Sequence, residues 1–305
     1  MKFAKEHISK IKKKYLIFIK KQEILGEPFY NKLGQLKNFY IPICELIFKE
    51  HKIKKKPVLI GISGGQGSGK TTIAQILKLI LINKYNLNTV SFSIDDFYKT
   101  LNSRKKMSKK IHKLFLTRGA PGSHDTKLLY KVLSKLLVKN FLPVLIPRFD
   151  KSNDERMPKK KWIKIKKKPH VIIFEGWCVG SKHQSKKLLL KPMNKLEKIK
   201  DKSMIWRKKV NNEIKTNYKK IFKLIDKLIF LKVPNFAHVL KWRILQEKKL
   251  SFSSKGKKIM SAEQIREFIM YYERITRQML KDLNFSSDVV IKLDKKHRLN
   301  DIKFN

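Results

Sequence analysis

From residue 57 onward, short apolar runs alternate with longer stretches in which apolar residues recur every three or four positions. A short continuous apolar run is typical of a strand buried on both faces, as in a parallel sheet covered by helices. The runs of this kind are residues 58–62, 89–94, 144–146, 171–174, 228–233 and 289–293. The alternation predicts an α/β fold with three layers (α/β/α) and a mostly parallel central sheet.

The stretches between these runs include amphipathic helical patterns. Residues 71–85 and 126–139 each carry a row of apolar residues on one helical face. Ser261, followed by Gln264, resembles a capping box, in which each side chain accepts a hydrogen bond from the backbone of the other residue. This pair predicts a helix that begins near Ser261 and runs to about Leu283.

Residues 1–56 have a different, lysine-rich pattern. Ile11, Tyr15, Phe18 and Ile19 share one face of a helix with 3.6 residues per turn. The pattern predicts an N-terminal helical extension that packs on the core domain. No residue of this region carries chemistry that its spacing identifies.

Composition adds a strong positive charge to this picture. The 305 residues include 73 Lys+Arg and 24 Asp+Glu, for a net charge of +49, and lysine supplies most of the cations. The apolar fraction of 42% is enough for a core and excludes a disordered polycation. Because Lys, Ile and Asn are abundant together and share AT-rich codons, much of the charge reflects base composition. Such a surface still binds polyanions nonspecifically at low salt, but no specific nucleic-acid partner is expected.

Several other classes of protein are excluded or disfavoured. No apolar stretch approaches the roughly 20 residues of a membrane-spanning helix, so no membrane association is expected. Cys44 and Cys178 are far apart and have neither disulfide-framework nor zinc spacing. The basic start of the chain lacks the long apolar segment and cleavage site of a signal peptide. The expected location is therefore the cytoplasm.

The strongest motif lies between the first apolar run and the helix that follows it. Gly64, Gly69, Lys70 and Thr71 satisfy the phosphate-loop pattern G-x-x-x-x-G-K-[ST]. In such loops glycine backbones approach the phosphates, the lysine reaches the β- and γ-phosphates, and the threonine hydroxyl binds Mg²⁺. The predicted ATP-binding residues are Gly64, Gly65, Gln66, Gly67, Ser68, Gly69, Lys70, Thr71 and Thr72.

Acidic residues close two of the predicted strands. Asp95 and Asp96 follow the second strand, at the sheet edge where ligands bind in open α/β folds. One of the two can orient an acceptor hydroxyl, although capping of a following helix is an alternative role. Glu175 ends the run 171–174 in the Walker-B arrangement and predicts, with Thr71, a magnesium site.

Further motifs support a family assignment. The segments 93–98, 118–125, 147–152 and 174–177 follow the phosphate loop in the order found in plant-type D-glycerate 3-kinases, which the chain resembles. That family is similar in turn to the group of uridine kinase, phosphoribulokinase and pantothenate kinase. The likeness includes residues 239–243 and the helix 260–280, and it covers about residues 57–295. It implies a P-loop kinase domain over 57–305, with insertions near 100–125, 147–170 and 180–220.

The resemblance also implies roles for individual residues. Asp95 matches the catalytic base, and Arg243 matches the lid residue that, with Lys70, neutralises the transferred phosphoryl group. The acceptor-binding residues that it implies are Asp96, Tyr98, Arg118, His124, Asp125 and Arg148. Two of them, Arg118 and Arg148, suit an acceptor that carries a carboxylate.

Some of these residues have alternative roles. Asp125 can cap the helix from residue 126, His124 can be a turn histidine, and Arg148 can pair with Asp150 or Asp154. The segment 153–158 is also shorter than the glycine-rich segment usual in the plant-type family.

The predicted activity is the transfer of the γ-phosphoryl group of Mg-ATP to an alcohol, with D-glycerate as acceptor and 3-phosphoglycerate as product. The alternatives are a kinase of the same group with a nucleoside or pantothenate-like acceptor, and a non-catalytic ATP-binding protein with nucleic-acid affinity. The oligomeric state is left open.

Overall fold

A computed structural model describes residues 2–23, 29–253 and 260–305. The strands in these ranges are β1 (Val58–Gly64), β2 (Thr89–Ser93), β3 (Val144–Ile146), β4 (Phe149–Asp150), β5 (Glu155–Arg156), β6 (Ile163–Ile165), β7 (Val171–Gly176), β8 (Lys227–Lys232), β9 (Val289–Leu293) and β10 (Leu299–Phe304). Six of them form the central sheet, in the order β10-β9-β8-β1-β7-β2.

Helices flank this sheet on both sides, which confirms the predicted three-layer α/β/α fold. They are α1 (Lys2–Gln22), α2 (Lys32–Gln35), α3 (Ile41–Lys54), α4 (Lys70–Tyr85), α5 (Leu101–Lys110), α6 (Thr126–Leu137), α7 (Lys186–Leu190), α8 (Lys195–Lys200), α9 (Ile205–Glu213), α10 (Lys219–Phe222), α11 (Phe236–Ser253) and α12 (Ala262–Ser286). In the described part of the chain, no helix combines the length and apolar character that crossing a bilayer requires.

The sheet is parallel except at one edge. Strand β1 lies between β7 and β8, and all residues of β1 and β7 are buried. Strand β10 pairs with β9 in the antiparallel direction. Its exposed and half-buried side chains explain why its sequence lacks the apolar run that marks the other strands.

One predicted strand lies outside the central sheet. Residues 144–146 form β3, but β3 pairs antiparallel with β6 in a separate two-stranded sheet. The prediction that this run belongs to the alternating α/β pattern is therefore wrong. The physical reason is that β3 is only three residues long and exposes Leu145, so it is not covered on both faces.

The predicted start of a helix near residue 261 is confirmed. The Ser261 hydroxyl accepts from the Gln264 backbone N–H at 3.2 Å, and the Gln264 side chain accepts from the Ser261 N–H at 2.9 Å. Helix α12 continues to Ser286, about one turn beyond the predicted end. The reciprocal bonds satisfy backbone donors that the first turn of a helix otherwise leaves free.

The N-terminal helices contribute to the same core as the sheet. Ile11, Tyr15 and Ile19 are buried on α1, which lies against α4, the helix that follows the phosphate loop. Helix α3 contacts both α4 and β1, and its Cys44 thiol lies 3.7 Å from the backbone oxygen of Leu77. Packing of the extension therefore supports the helix on which the phosphate loop is mounted.

Truncation of Ile19 tests this packing. Ile19 is fully buried, whereas Ile17 on the same helix is 49% exposed. We expect Ile19→Ala to lower the free energy of unfolding by about 3 kcal/mol, because it leaves a cavity between α1 and the core. Ile17→Ala, the control, should cost less than about 0.5 kcal/mol. If urea denaturation shows equal losses of unfolding free energy for the two variants, Ile19 does not pack between α1 and the core.

Candidate active site

The strand register brings three loops together at one edge of the sheet. Ile62 of β1, Glu175 of β7 and Ser93 of β2 lie side by side across neighbouring parallel strands. The phosphate loop follows the first of these strands and Asp95 follows the third. Because parallel strands end at the same edge, residues distant in sequence converge here.

The phosphate loop has the backbone that its glycines permit. Gly67 and Gly69 have φ angles of 74° and 87°, in the region that favours glycine. A Cβ atom added at Gly67 would lie 3.0 Å from Trp242 Cβ, so α11 contacts the loop directly. A Cβ at Gly69 would meet no atom within 4 Å, so open space adjoins the loop just before α4 begins at Lys70.

The polar groups of the loop fit a bound polyphosphate. Within the described residues, the Ser68 hydroxyl and both amide atoms of Gln66 are buried without a hydrogen-bond partner. Lys70 Nζ donates to the backbone oxygen of Gly65 at 2.9 Å. Burial lowers the pKa of Lys70, while the carboxylates of Glu175 and Asp95 act in the opposite direction. A phosphate would supply the anion that such a lysine lacks.

The side chains of Thr71 and Glu175, the predicted magnesium site, are in direct contact. Thr71 Oγ1 donates to Glu175 Oε1 at 2.9 Å, and the Glu175 side chain is buried at the end of β7. Burial raises the pKa of Glu175, only partly opposed by Lys70. Among the described residues, no three His, Cys, Asp or Glu side chains cluster to hold a metal. A pair of oxygen atoms is a donor set that Mg²⁺ accepts when phosphate oxygens and water supply its other ligands.

The two adjacent carboxylates after β2 have different environments. Asp96 accepts from the Ser93 backbone N–H at 3.3 Å and completes a capping box for the 3₁₀ turn Ile94–Phe97, so the alternative role of capping applies to it. Asp95 instead accepts from Tyr98 Oη at 2.9 Å and from Lys151 Nζ at 2.6 Å. Burial raises the pKa of Asp95, but Lys151, with smaller contributions from His124 and Tyr98, outweighs burial, and the pKa falls to about 2.

His124 lies buried between two tyrosine rings. It stacks on Tyr98 with ring centroids 4.4 Å apart, and its Nδ1 lies 2.6 Å from Tyr218 Oη. Burial lowers the pKa of His124 to about 3, so the ring is neutral at physiological pH. Its Nε2 is buried, and no described residue provides a partner for it. His124 is therefore part of a packed aromatic cluster beside Asp95 rather than of an exposed turn.

Asp125 has a structural role. Its Oδ1 accepts from the Leu128 N–H at 3.1 Å and caps α6, and its Oδ2 lies 3.1 Å from Arg156 Nη2. Both oxygens are therefore engaged by the protein, as the alternative of a helix cap predicts.

The two predicted acceptor arginines differ in exposure. Arg148 has a side chain that is 48% exposed, and its Nε lies 3.7 Å from Asp96 Oδ1; among the described residues it forms no ion pair with Asp150 or Asp154. Arg118 is less exposed: it pairs with Asp154 and donates from Nη2 to the backbone oxygen of Lys151 at 3.1 Å. Arg148 thus lies beside Asp96, whereas Arg118 is bonded to the loop that carries Lys151, the partner of Asp95.

Arg243 lies on the helix that contacts the phosphate loop. Its Nη1 pairs with Glu247 one turn further along α11. Val239, one turn before Arg243, would lie 2.8 Å from a Cβ atom added at Gly65. The helix is therefore positioned by close contact with the loop at both Val239 and Trp242.

Sequence reasoning missed two residues of this site. Lys151, the partner of Asp95, lies inside the motif 147–152. That motif was the feature of the sequence from which a role for Lys151 could have been predicted. Tyr218, the partner of His124, ends the π-helical turn Ile214–Tyr218 and comes from the region 180–220. No local pattern marks it, because the partners of its hydroxyl, His124 and Gly122, are 94 and 96 positions away in the chain.

Comparison with known proteins agrees with this geometry. The model of the phosphoribulokinase / uridine kinase family matches residues 59–241. An uncharacterized kinase of Schizosaccharomyces pombe is 34% identical over 238 residues, which cover 75% of this chain and 83% of that protein. A chloroplastic D-glycerate 3-kinase of Arabidopsis thaliana is 30% identical over 256 residues, which cover 78% of this chain but only 53% of that protein's length.

Solved structures share the fold. A D-glycerate 3-kinase from Cryptococcus neoformans superposes with a TM-score of 0.74 at 23% identity, and the match covers 87% of this chain and 97% of that one. The predicted resemblance to P-loop kinases is confirmed by the family match and by these relatives. The chain therefore belongs to the phosphoribulokinase / uridine kinase family and is a P-loop kinase.

Proposed function

We propose that this kinase transfers the γ-phosphoryl group of ATP to the 3-hydroxyl of D-glycerate and yields 3-phosphoglycerate. The observation that carries the proposal is that Lys151 pairs with Asp95 and Arg148 lies near Asp96, while Arg118 is bonded to the backbone of Lys151. Cations beside these two carboxylates suit an acceptor that carries a carboxylate, since charge-assisted bonds to carboxylates are strong. Two of the relatives reported above are D-glycerate 3-kinases.

ATP binding is assigned to the phosphate loop. The residues that we propose to hold the phosphates are Gly64, Gly65, Gln66, Gly67, Ser68, Gly69, Lys70, Thr71 and Thr72. Thr71 and Glu175 would hold Mg²⁺. When bound, the ion would neutralise charge on the phosphate oxygens. Lys70 and Arg243 would add positive charge around the transferred group, where it stabilises the transition state most.

Asp95 is assigned to the acceptor hydroxyl. A bond forms between the acceptor oxygen and the γ-phosphorus while the bond to the β,γ-bridging oxygen breaks, and ADP leaves. The hydroxyl proton passes to Asp95 and then to water. Because the pKa of Asp95 is about 2, it is a weak base. Its main contribution is to orient the hydroxyl, as in loose phosphoryl-transfer transition states that need little proton removal.

The remaining acceptor residues divide into direct and indirect roles. Arg148 and Arg118 would bind the acceptor carboxylate, and His124 Nε2 is the unpaired group beside Asp95 that can bond an acceptor hydroxyl. Tyr98 positions Asp95 through its hydroxyl. Asp96 and Asp125, whose oxygens cap local turns, would maintain the shape of the acceptor site rather than contact the acceptor.

An ADP-release assay with a panel of alcohols tests the proposal. We expect D-glycerate to stimulate ADP release at least about tenfold more than glycerol, uridine or pantothenate, because one charge-assisted contact is worth about 1.5–3 kcal/mol. Stimulation by uridine or pantothenate alone would reject glycerate but retain the kinase. No stimulation by any alcohol, together with tight nucleic-acid binding that persists at physiological salt, would favour a binding protein instead.

A further inference from the structure

A buried arginine is bonded to the loop that carries Lys151. Arg104, on α5, is fully buried. Its guanidinium group donates to the backbone oxygens of Lys99 at 3.2 Å, Leu116 at 2.7 Å and Asp154 at 2.9 Å. Arg104 Nη2 also lies 2.9 Å from Asp154 Oδ1, and this carboxylate supplies the negative charge that a buried cation requires. One side chain therefore joins three segments of the chain.

The Asp154 carboxylate connects Arg104 to a second arginine. The oxygen that faces Arg104 also accepts from Arg118 Nη1, so the carboxylate lies between two guanidinium groups. Arg118 follows Leu116 by two positions, and the backbone of Leu116 is itself bonded to Arg104. Arg104 therefore fixes both the carboxylate and the chain segment from which Arg118 extends.

The loop depends on such contacts because its own hairpin is short. Strands β4 and β5 have two residues each, and two-stranded hairpins are marginally stable even with longer strands. Glu155 and Arg156 anchor β5 to the segment 98–101. Arg118 Nη2 reaches the turn before β5 and donates to the Lys151 backbone oxygen at 3.1 Å. The position of this turn therefore depends on Arg118 as well as on its own local bonds.

The two bonds of Arg118 also arrange it for a ligand. One N–H group is used on Asp154 and one on the Lys151 backbone, which fixes the plane of the guanidinium group and leaves its other N–H groups free for an anion. If Arg118 were not held, it would have to be ordered when the acceptor binds. Ordering one long side chain lowers the affinity for a ligand about two- to tenfold.

We propose that Arg104 and Asp154 are positioning residues, which hold Arg118 and the turn of Lys151 in place so that the acceptor carboxylate meets a preformed site. This inference rests on the proposed function, because it assumes that Arg118 binds a carboxylate-bearing acceptor. It assigns part of the affinity for the acceptor to Arg104, a buried residue that does not itself contact the acceptor. Because the site is arranged before binding, the gain appears in the binding of the acceptor rather than in the chemical step.

Replacement of Arg104 with lysine tests the positioning role without a change of net charge. Lysine keeps the cation, but one ammonium group cannot reach all the oxygens that the guanidinium group bonds. In the full-length chain we expect Arg104→Lys to raise KM for D-glycerate about five- to tenfold. The values of kcat and of KM for ATP, measured by the same ADP-release assay, should change less than about twofold.

Arg207 on α9 provides the matched control, because it is another buried arginine with the same kinds of partner. It donates to the backbone oxygens of Leu189 and Asp201 and lies 3.0 Å from the Asp201 carboxylate. None of these residues belongs to the candidate site. We expect Arg207→Lys to lower the melting temperature about as much as Arg104→Lys, but to leave KM for D-glycerate unchanged.

A double variant tests whether Arg104 acts through Arg118. Once Arg118→Met has removed the positioned side chain, the further change Arg104→Lys should alter KM for D-glycerate less than about twofold, because coupled residues are not additive. If the two changes instead multiply, Arg104 does not act through Arg118, and the proposal is rejected.

Asp154→Asn keeps the proposal testable if Arg104→Lys does not fold. The Asp154 side chain is 35% exposed, and its φ angle of 54° is one that asparagine also tolerates. We expect this variant to raise KM for D-glycerate as well, although the loss of a negative charge would by itself lower KM for an anion. A lower KM would mean that Asp154 only competes with the acceptor for Arg118, and it would overturn the proposal.

The outcomes distinguish this inference from the proposed function. If wild-type protein prefers D-glycerate and Arg104→Lys leaves its KM unchanged, or impairs kcat and both KM values alike, the positioning role is wrong and the proposed function stands. If wild-type protein shows no preference for D-glycerate over glycerol, the proposed function fails, and the positioning role is rejected with it.

Discussion

Replacement of Asp95 with asparagine is expected to lower the rate of phosphoryl transfer about 10²- to 10⁴-fold, the usual contribution of a positioned acid or base. Asparagine has nearly the same shape and can still accept the hydrogen bond from Tyr98. Because it carries no charge, it orients the acceptor hydroxyl less strongly, cannot take up its proton, and holds the ammonium group of Lys151 only by a weaker hydrogen bond. Since Asp95 lies beside the phosphate loop but not in it, the affinity for ATP should change little.

The neighbouring carboxylate provides the matched control. Asp96→Asn changes the same functional group one position away, where the side chain caps the turn Ile94–Phe97. We expect it to change stability by less than about 1 kcal/mol, because the amide oxygen can still accept the Ser93 N–H, and to reduce turnover much less than Asp95→Asn. Turnover is measured by ADP release and ATP affinity by titration calorimetry. Equal losses of turnover in the two variants would reject the assignment of Asp95.

Replacement of Arg274 with methionine is expected to lower the free energy of unfolding by about 4 kcal/mol, the cost of breaking a buried ion pair. Arg274 of α12 is 8% exposed and Glu197 of α8 is 1% exposed. Two bonds of 2.7 and 2.6 Å join the guanidinium to the Glu197 carboxylate. Further bonds reach the backbone oxygens of Leu188 and Lys191. Without the arginine, Glu197 would remain buried without its cation.

The same helix offers a control for Arg274. Arg277 lies one turn later, is 49% exposed and pairs with Glu273 on the surface. We expect Arg277→Met to change stability by less than about 1 kcal/mol, since exposed ion pairs contribute little. The double variant Arg274→Met with Glu197→Leu should recover part of the loss, because it removes the buried charge itself. If chemical denaturation shows equal effects for the two arginines, the buried pair does not hold α8 against α12.

The fold was largely predictable where local pattern decides structure. The apolar runs at β1, β2, β7, β8 and β9 are strands of the central sheet, and the reciprocal bonds of Ser261 and Gln264 begin α12. Prediction failed at β3, because a three-residue apolar run does not reveal which strand it pairs with. It also missed β10, whose half-exposed edge position does not require an apolar run.

The candidate site also has a part that local sequence predicts and a part that it does not. The phosphate loop is contiguous in sequence, so its spacing alone predicts how its glycines, lysine and threonine are arranged. Local spacing left the choice between Asp95 and Asp96 open, because adjacent carboxylates look alike, and only the family resemblance favoured Asp95 as the base. The structure distinguishes them: one bonds Tyr98 and Lys151, and the other caps a turn.

The sequence by itself therefore determined the fold class, the family resemblance and the phosphate-binding segment, all of which depend on short-range spacing. The tertiary structure decided the pairing of Lys151 with Asp95, 56 positions apart, and of Tyr218 with His124, 94 positions apart. It also decided that α1 supports the phosphate-loop helix. The physical reason is that ion pairs and packing depend on distances in space. Those distances arise only when the chain folds and brings together residues that no local sequence pattern connects.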